Sequence, residues 1–203
     1  MLIGANGSPL RRPYSIACSP ERAAETQTLE LLIALEADGS LGAHLPAVIP
    51  GSPIDIEGPL GTFLFPIDPL QKRLLFVAGG TGIAPLRAMI DHVLRRRPDQ
   101  RVSVLYSARN GEEFAFIDEL RRHEAQGRLE LHQTVTRDDS AVWAGKRGRI
   151  GRSHFESVVH EPADTLCFVC GPKALVNESV TTLASLGVPG EAIRTEAWVV
   201  PPV

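Results

Sequence analysis

Residues 74–85 read LLFVAGGTGIAP: an apolar run with strand character, a glycine-rich turn, and a proline that opens a helix. Gly79, Gly80 and Gly82 let the backbone take positive φ and approach a ligand closely, and Pro85 suits the first helical position, where a missing N–H costs nothing. The free amides of such a turn, at the positive end of a helix, face an anion. Gly80, Thr81, Gly82 and Pro85 satisfy G-x-G-x-x-P but lack the last glycine of the dinucleotide fingerprint. Taken alone, the segment fits either a phosphate cradle or an ordinary strand-to-helix turn.

Downstream of it the chain alternates. Residues 74–78, 102–106, 129–135, 166–169 and 193–197 read as strands, with helices between them over 85–96, 112–126, 154–160 and 173–186. That alternation implies an α/β unit, a five-stranded parallel sheet with helices on both faces. In the first helix Leu86, Met89, Ile90, Val93 and Leu94 form one apolar stripe, and Arg95, Arg96 and Arg97 complement the helix dipole before Pro98. The second helix opens at Glu112 and Glu113 and closes at Gly127, the third carries a capping box in Ser153 and Glu156, and the fourth ends at Gly187. Upstream the grammar differs. Residues 2–3, 14–17, 28–35 and 54–57 are short β-like runs among prolines and glycines, which read as an antiparallel barrel or sandwich. Two domains are expected, 1–68 and 72–203.

Composition narrows the function classes. With 203 residues, 43% hydrophobic and 22% charged, the chain can bury a core, and a net charge of −3 gives no reason to expect nucleic acid as a partner. No apolar run approaches the roughly 18 residues of a membrane span, and Met1-Leu2-Ile3-Gly4 lacks the start of a signal peptide, so cytoplasm is the expected location. Three cysteines suit a reducing compartment. Cys167 and Cys170 have C-x-x-C spacing, but along a strand residues three apart point to opposite faces, which argues against a metal or redox pair. No histidine pattern suggests a metal site, and no C-x4-C-x2-C run suggests a plant-type iron–sulfur cluster, so any cluster served is expected on another chain.

Two further segments, Arg12-Pro13-Tyr14-Ser15 and Cys170-Gly171-Pro172, complete a pattern with GGTGIAP. In this order the three resemble the R-x-Y-S, G-G-T-G-I-A-P and C-G-P signatures of the ferredoxin-NADP reductase superfamily of flavoenzymes. The resemblance covers nearly the whole chain and ends at Glu196 and Trp198, where many members carry an acidic or aromatic residue beside the flavin. It implies FAD in the first part: Arg12 against a flavin phosphate, Tyr14 stacked on the isoalloxazine, Ser15 bonded to N5. Residues 39–45, GSLGAHL, resemble the family's pyrophosphate segment, with Gly42, Ala43 and His44 beside the phosphates. Gly42 stands where a hydroxyl residue is usual. Residues 58–63, GPLGTF, resemble the turn that closes the barrel.

In the second part the resemblance implies NADPH or NADH, with pyrophosphate over Gly80 to Gly82 and nicotinamide toward Cys170. Arg109 matches the arginine of the family's Y-x-x-R pattern, a cation for a ribose phosphate. Arg147 and Arg149 either lie near it or are surface charges. Glu196 either serves proton traffic or is a solvated strand end.

The implied activity is hydride transfer from NAD(P)H to FAD, with electrons passed to an external acceptor such as an iron–sulfur protein or oxygenase. The resemblance also implies strands ahead of R-x-Y-S, whereas Met1-Leu2-Ile3-Gly4 reads as the third strand. The barrel is therefore expected to lack its first strands. A second class stays open on that ground, a non-catalytic nucleotide-binding subunit whose barrel another chain completes.

Overall fold

A computed structural model describes residues 13–35, 48–138, 140 and 142–198, with the backbone alone at Trp198. Its centre is a sheet of parallel strands: β1 (Arg73–Gly79), β2 (Arg101–Ala108), β3 (Glu130–Val135), β4 (Lys146–Arg147), β5 (Thr165–Pro172) and β6 (Ile193–Trp198). The spatial order is β4-β3-β2-β1-β5-β6. Six strands stand where the sequence reading expects five. The extra one, β4, is a two-residue basic edge pairing Lys146 with Thr134 and Arg147 with Val135, too short and polar to carry a hydrophobic pattern.

The middle strands explain why the sheet forms. Residues 74–78 of β1 and 165–171 of β5 are continuously buried rather than alternating, as strands covered on both faces must be. Phe76 and Phe168 are register partners and stack with ring centroids 5.4 Å apart. The chain runs outward from β1 through β2 and β3 to β4, then crosses back to lay β5 on the other side of β1. Right-handed crossovers that reverse direction there send successive helices to opposite faces and leave a crevice between the carboxyl ends of β1 and β5.

The helices are α1 (Pro20–Thr26), α2 (Ile83–Arg96), α3 (Ile117–Ala125), α4 (Arg152–Glu156) and α5 (Lys173–Ser185). Boundaries depart from the sequence reading for local reasons. A 3-10 turn over Gly80–Gly82 leads directly into α2, so Pro85 is its third residue, still within the turn whose amides have no helical partner. The expected helix from Glu112 breaks. Asn110 caps a 3-10 turn at Gly111–Glu113, then Phe114 leaves the helical path to bury against Tyr106, and Phe116 takes a positive φ of 57° before α3 begins. In α4 the Ser153–Glu156 capping box is absent. Gly151 is the cap, with the Nδ1 of His154 accepting its amide at 3.2 Å, and Glu156 pairs with Arg152 instead.

The upstream part departs most. Among the described residues before Arg73, regular structure amounts to α1 and one antiparallel bridge, Ile16 with Leu31. The runs 14–17, 28–35 and 54–57 form no ladder beyond that bridge, and 2–3 lies outside the described residues. Pro50, Pro53, Pro59, Pro66 and Pro69 lack the N–H a ladder requires, which limits strand pairing among the described residues from 48 to 72. It docks on the sheet through Phe65, stacked on Phe168 at 5.5 Å, and Phe63, edge-on at 6.1 Å. The sequence reading has no helix at Pro20–Thr26, although Ser19 caps the Arg22 amide at 3.1 Å and Pro20 takes the first position, as helix starts prefer.

Helix α1 is seated on α2 by charge. Asp91, buried on α2, accepts from the Ser19 hydroxyl at 2.6 Å, from Arg22 at 3.3 Å and from Arg95 at 2.9 Å. Burial raises its pKa, but these donors outweigh burial and hold the carboxyl at about 2, against an ordinary 3.8. Glu21, against Arg96 and His92, is likewise held at about 2. Depressed folded-state values contribute stability above the unfolded pKa and lose it as pH falls through the folded one. The melting temperature should therefore fall between about pH 4.5 and pH 2. Asp91→Asn should lower it at neutral pH and flatten part of that slope; identical acid slopes in parent and variant would contradict the assignment.

Candidate functional site

The carboxyl ends of β1 and β5 meet at two glycines. A Cβ built on Gly79 would lie 2.6 Å from Leu175 Cδ2 and 2.9 Å from Pro172 Cδ, and one on Gly171 would lie 3.1 Å from the Gly79 nitrogen. Neither position has room for a side chain. Immediately beyond, Gly80 has a φ of 53° and its Cβ direction is open, so the turn presents bare backbone to solvent just where α2 starts. A helix start has amides beyond its own ladder, and one with no obstructing side chain in front of it fits a phosphate group.

This turn is held from below. The Tyr106 hydroxyl, on a fully buried ring of β2, donates to the Gly80 carbonyl at 3.2 Å and accepts the Ala115 amide at 3.1 Å. Burial pushes its pKa far above the ordinary phenol value, so it stays a donor. Sequence reasoning missed this role, because a tyrosine in a strand reads as core. The departure of Phe114 from the helical path, which brings the Ala115 amide to it, has no local signature.

A second feature lies at the same edge. Cys170 and Glu196 are register partners on β5 and β6. The Cys170 thiol points at Glu196 Oε2 at 3.7 Å, and the Ser15 hydroxyl donates to the same oxygen at 3.3 Å. Two residues, one of them 181 positions away, thus converge on the Glu196 carboxylate. Burial, reinforced by the neighbouring carboxylate, drives the Cys170 thiol well above its ordinary pKa, so it is a neutral S–H donor and not a thiolate. Cys167 is pushed up to about 12 by burial alone. Both thiols are free, and neither has the electropositive setting of a reactive cysteine.

The remaining sequence candidates divide. Tyr14, 37% exposed, lies next to Ser15 with Pro13 exposed beside it. Thr81 is half-buried in the glycine turn, and Pro172 opens α5. Arg109 is exposed just past β2, where its carbonyl accepts the Arg137 amide at 2.7 Å. Arg147 donates to the carbonyls of Asp138, Ser140 and Trp143, so its guanidinium is engaged in shaping its own loop. Arg149 is exposed. Trp198 ends β6. Arg12, Gly42, Ala43 and His44 lie outside the described residues.

Comparison with known proteins fits this geometry. The oxidoreductase NAD-binding domain family matches residues 76–181, and the oxidoreductase FAD-binding domain family matches residues 1–65. A ferredoxin–NADP reductase from Sorangium cellulosum is 30% identical over 98% of this chain and 82% of its own length. A flavohemoprotein from Rhodopirellula baltica is 28% identical over 91% of this chain but 47% of its own, so the chain spans less than half of that relative. The solved Amycolatopsis cytochrome P450 reductase superposes with a TM-score of 0.82 at 22% identity, over 98% of this chain and 59% of that one. The chain belongs to the ferredoxin reductase-like superfamily of oxidoreductases with FAD- and NAD-binding domains.

Tyr106→Phe keeps the ring and removes the bridge, leaving the Ala115 amide without its acceptor and the Gly80 carbonyl with the Ile83 amide alone. It should cost about 1–3 kcal/mol of stability and loosen the turn. Thermal melting and dinucleotide titration together check this. Unchanged stability and affinity would show that the hydroxyl does not hold the cradle.

Proposed function

We propose that this chain is the NAD(P)H-oxidising, flavin-carrying module of a reductase that passes electrons to an external acceptor, with an iron–sulfur protein or an oxygenase as the acceptor class. The observation that carries the reading is the convergence of Ser15, Cys170 and Glu196 at the edge where Gly79 and Gly171 meet. In this reading residues before about 68 hold FAD and residues from about 72 hold the dinucleotide. The described residues fit both groups: an exposed aromatic ring beside a hydroxyl on one side, an open glycine turn at a helix start on the other.

A bound flavin supplies the hydride acceptor and the release of electrons singly or in pairs. The chain's own residues bind and orient. The Gly80–Gly82 amides and the α2 dipole receive the dinucleotide pyrophosphate, and the absent side chains at Gly79 and Gly171 allow close backbone approach. Arg109 is the cation available at the end of β2 for the far ribose. Tyr14 offers a ring face for stacking, and Arg12, Gly42, Ala43 and His44 are assigned to the flavin phosphates. Ser15 and the neutral Cys170 thiol both donate to Glu196 Oε2, which fixes the hydroxyl and the sulfur beside each other at this edge. Trp198, at the end of β6, is assigned to the ring edge.

Freshly purified chain should be yellow, and Tyr14→Ala should lower its flavin content, since stacking is worth on the order of 1 kcal/mol beyond buried area. Gly171→Ala should weaken the dinucleotide while leaving flavin content intact, because its methyl intrudes on the Gly79 backbone. Colourless protein that takes up no added FAD, or Gly171→Ala with parental NADH and NADPH affinity, would overturn the reading.

A further inference from the structure

The ion-pair cluster between the first 35 residues and α2 lies outside the site just described, and its centre is Arg87. This guanidinium is buried, its side chain 4% exposed. It forks onto Glu119 of α3 at 2.7 and 3.2 Å, meets Glu30 at 2.6 Å, and donates to the Ala17 carbonyl at 2.8 Å. The Phe116 ring lies under it at 4.2 Å, in the residue whose φ is 57°. A bulky residue in that region is strained and persists only where its surroundings over-determine it.

The chain path gives the cluster its meaning. Arg87 is on the helix that the glycine turn opens, five residues after Gly82. Ala17 is two residues after Ser15, and its own amide donates to Glu30 at 2.8 Å. One side chain thus grips both strands of the Ile16–Leu31 bridge and the helix of the dinucleotide turn. One turn further, Asp91 takes Ser19, so the segment carrying Tyr14 and Ser15 is fixed at two successive turns of α2.

We propose that Arg87, with Asp91, is a positioning latch: it sets where the strand bearing Tyr14 and Ser15 stands relative to the glycine turn and Cys170, and so sets the spacing of the two cofactors. The proposal rests on the reading above, in which these two surfaces hold flavin and nicotinamide. Arg87 touches neither surface and acts through Ala17 and Glu30. A point charge cannot replace it, because the fork on Glu119 and the separate bonds to Ala17 and Glu30 need the planar donor set of a guanidinium.

The test uses three variants of the full chain. Arg87→Met with Glu119→Gln removes the fork without leaving Glu119 as a bare buried charge. Ser19→Ala removes the bond to Asp91 and the cap on the Arg22 amide and keeps every ion pair. Arg87→Lys keeps the charge and loses the fork. If the latch positions, flavin content and nicotinamide affinity stay within about twofold of parent in all three. The flavin–nicotinamide charge-transfer absorbance and the flavin reduction rate then fall together, since misplacement by an ångström costs on the order of 100-fold. The fall should be largest in the double variant, intermediate in Arg87→Lys and smallest in Ser19→Ala. In the cofactor-free chain, hydrogen exchange at the Ala17 amide should accelerate in the same order. Parental absorbance, rate and exchange in the folded variants overturn the latch, and Ser19→Ala alone decides it if the double variant does not fold. Loss of either cofactor's affinity in step with the rate also overturns it, since that marks a merely structural role. Failure of the parent itself to bind flavin or nicotinamide defeats the functional reading instead.

Discussion

The pairing of β1 with β5 is the constraint on which the rest of the molecule depends. Because the chain returns across the sheet to place β5 beside β1, the ends of two non-adjacent segments, Gly79 and Gly171, come into backbone contact at the point where strand order reverses. Everything at the site follows from that register. Cys170 is set beside Ala78 on one side and Glu196 on the other, α2 starts at Ile83 directly after the glycine turn, and α5 begins at Lys173 after its Pro172 cap. A side chain at either glycine would press on Leu175 first, and at Gly171 on the Gly79 backbone as well.

A second layer of constraint is electrostatic. Helix α2 presents Arg87, Asp91 and Arg95 at intervals of four, and each is paired with a residue from elsewhere in the chain. Pairs buried as those of Arg87 and Asp91 are here are weak contributors to net stability, but breaking one by removing a single partner costs about 3–5 kcal/mol, so they specify an arrangement strongly, whereas the exposed Arg95–Glu25 pair adds little. Here the arrangement is the seating of residues 13–35 on the nucleotide-binding sheet. The aromatic contacts of Phe63 and Phe65 on Phe168 add an apolar attachment from the other end of the upstream part.

How much of this is legible in the sequence depends on whether the signal is local. The parallel sheet was readable, because strands buried on both faces are continuous apolar runs separated by helical stripes, and the glycine turn was readable because φ and steric demands leave few residue choices. Ser15, Cys170 and Glu196 could be singled out only by family resemblance; their meeting at one carboxylate is set by register, which no local pattern encodes. The two-residue strand β4 has no hydrophobic period to reveal it. Among the described residues the upstream runs pair less than their β-like composition suggests, since prolines interrupt any ladder after residue 48. Helix α1 was missed despite its Ser19-Pro20-Glu21 start, and the break at Phe114 depends on an aromatic packing against Tyr106 and Trp143 that only the tertiary structure supplies. Tyr106 and Arg87 share that fate: each reads as an ordinary strand or helix residue until its partners, far away in sequence, are in place.

The central claim is that hydride passes directly between two cofactors whose rings meet beside Ser15, Cys170 and Glu196. Anaerobic rapid-mixing of the flavin-loaded chain with NADH and NADPH, each carrying hydrogen or deuterium at the transferred C4 position, tests it most directly. The account predicts bleaching of the flavin absorbance by at least one of the two nucleotides, with a primary isotope effect on that bleaching. Flavin that stays oxidised in the presence of saturating NADH and NADPH would contradict it.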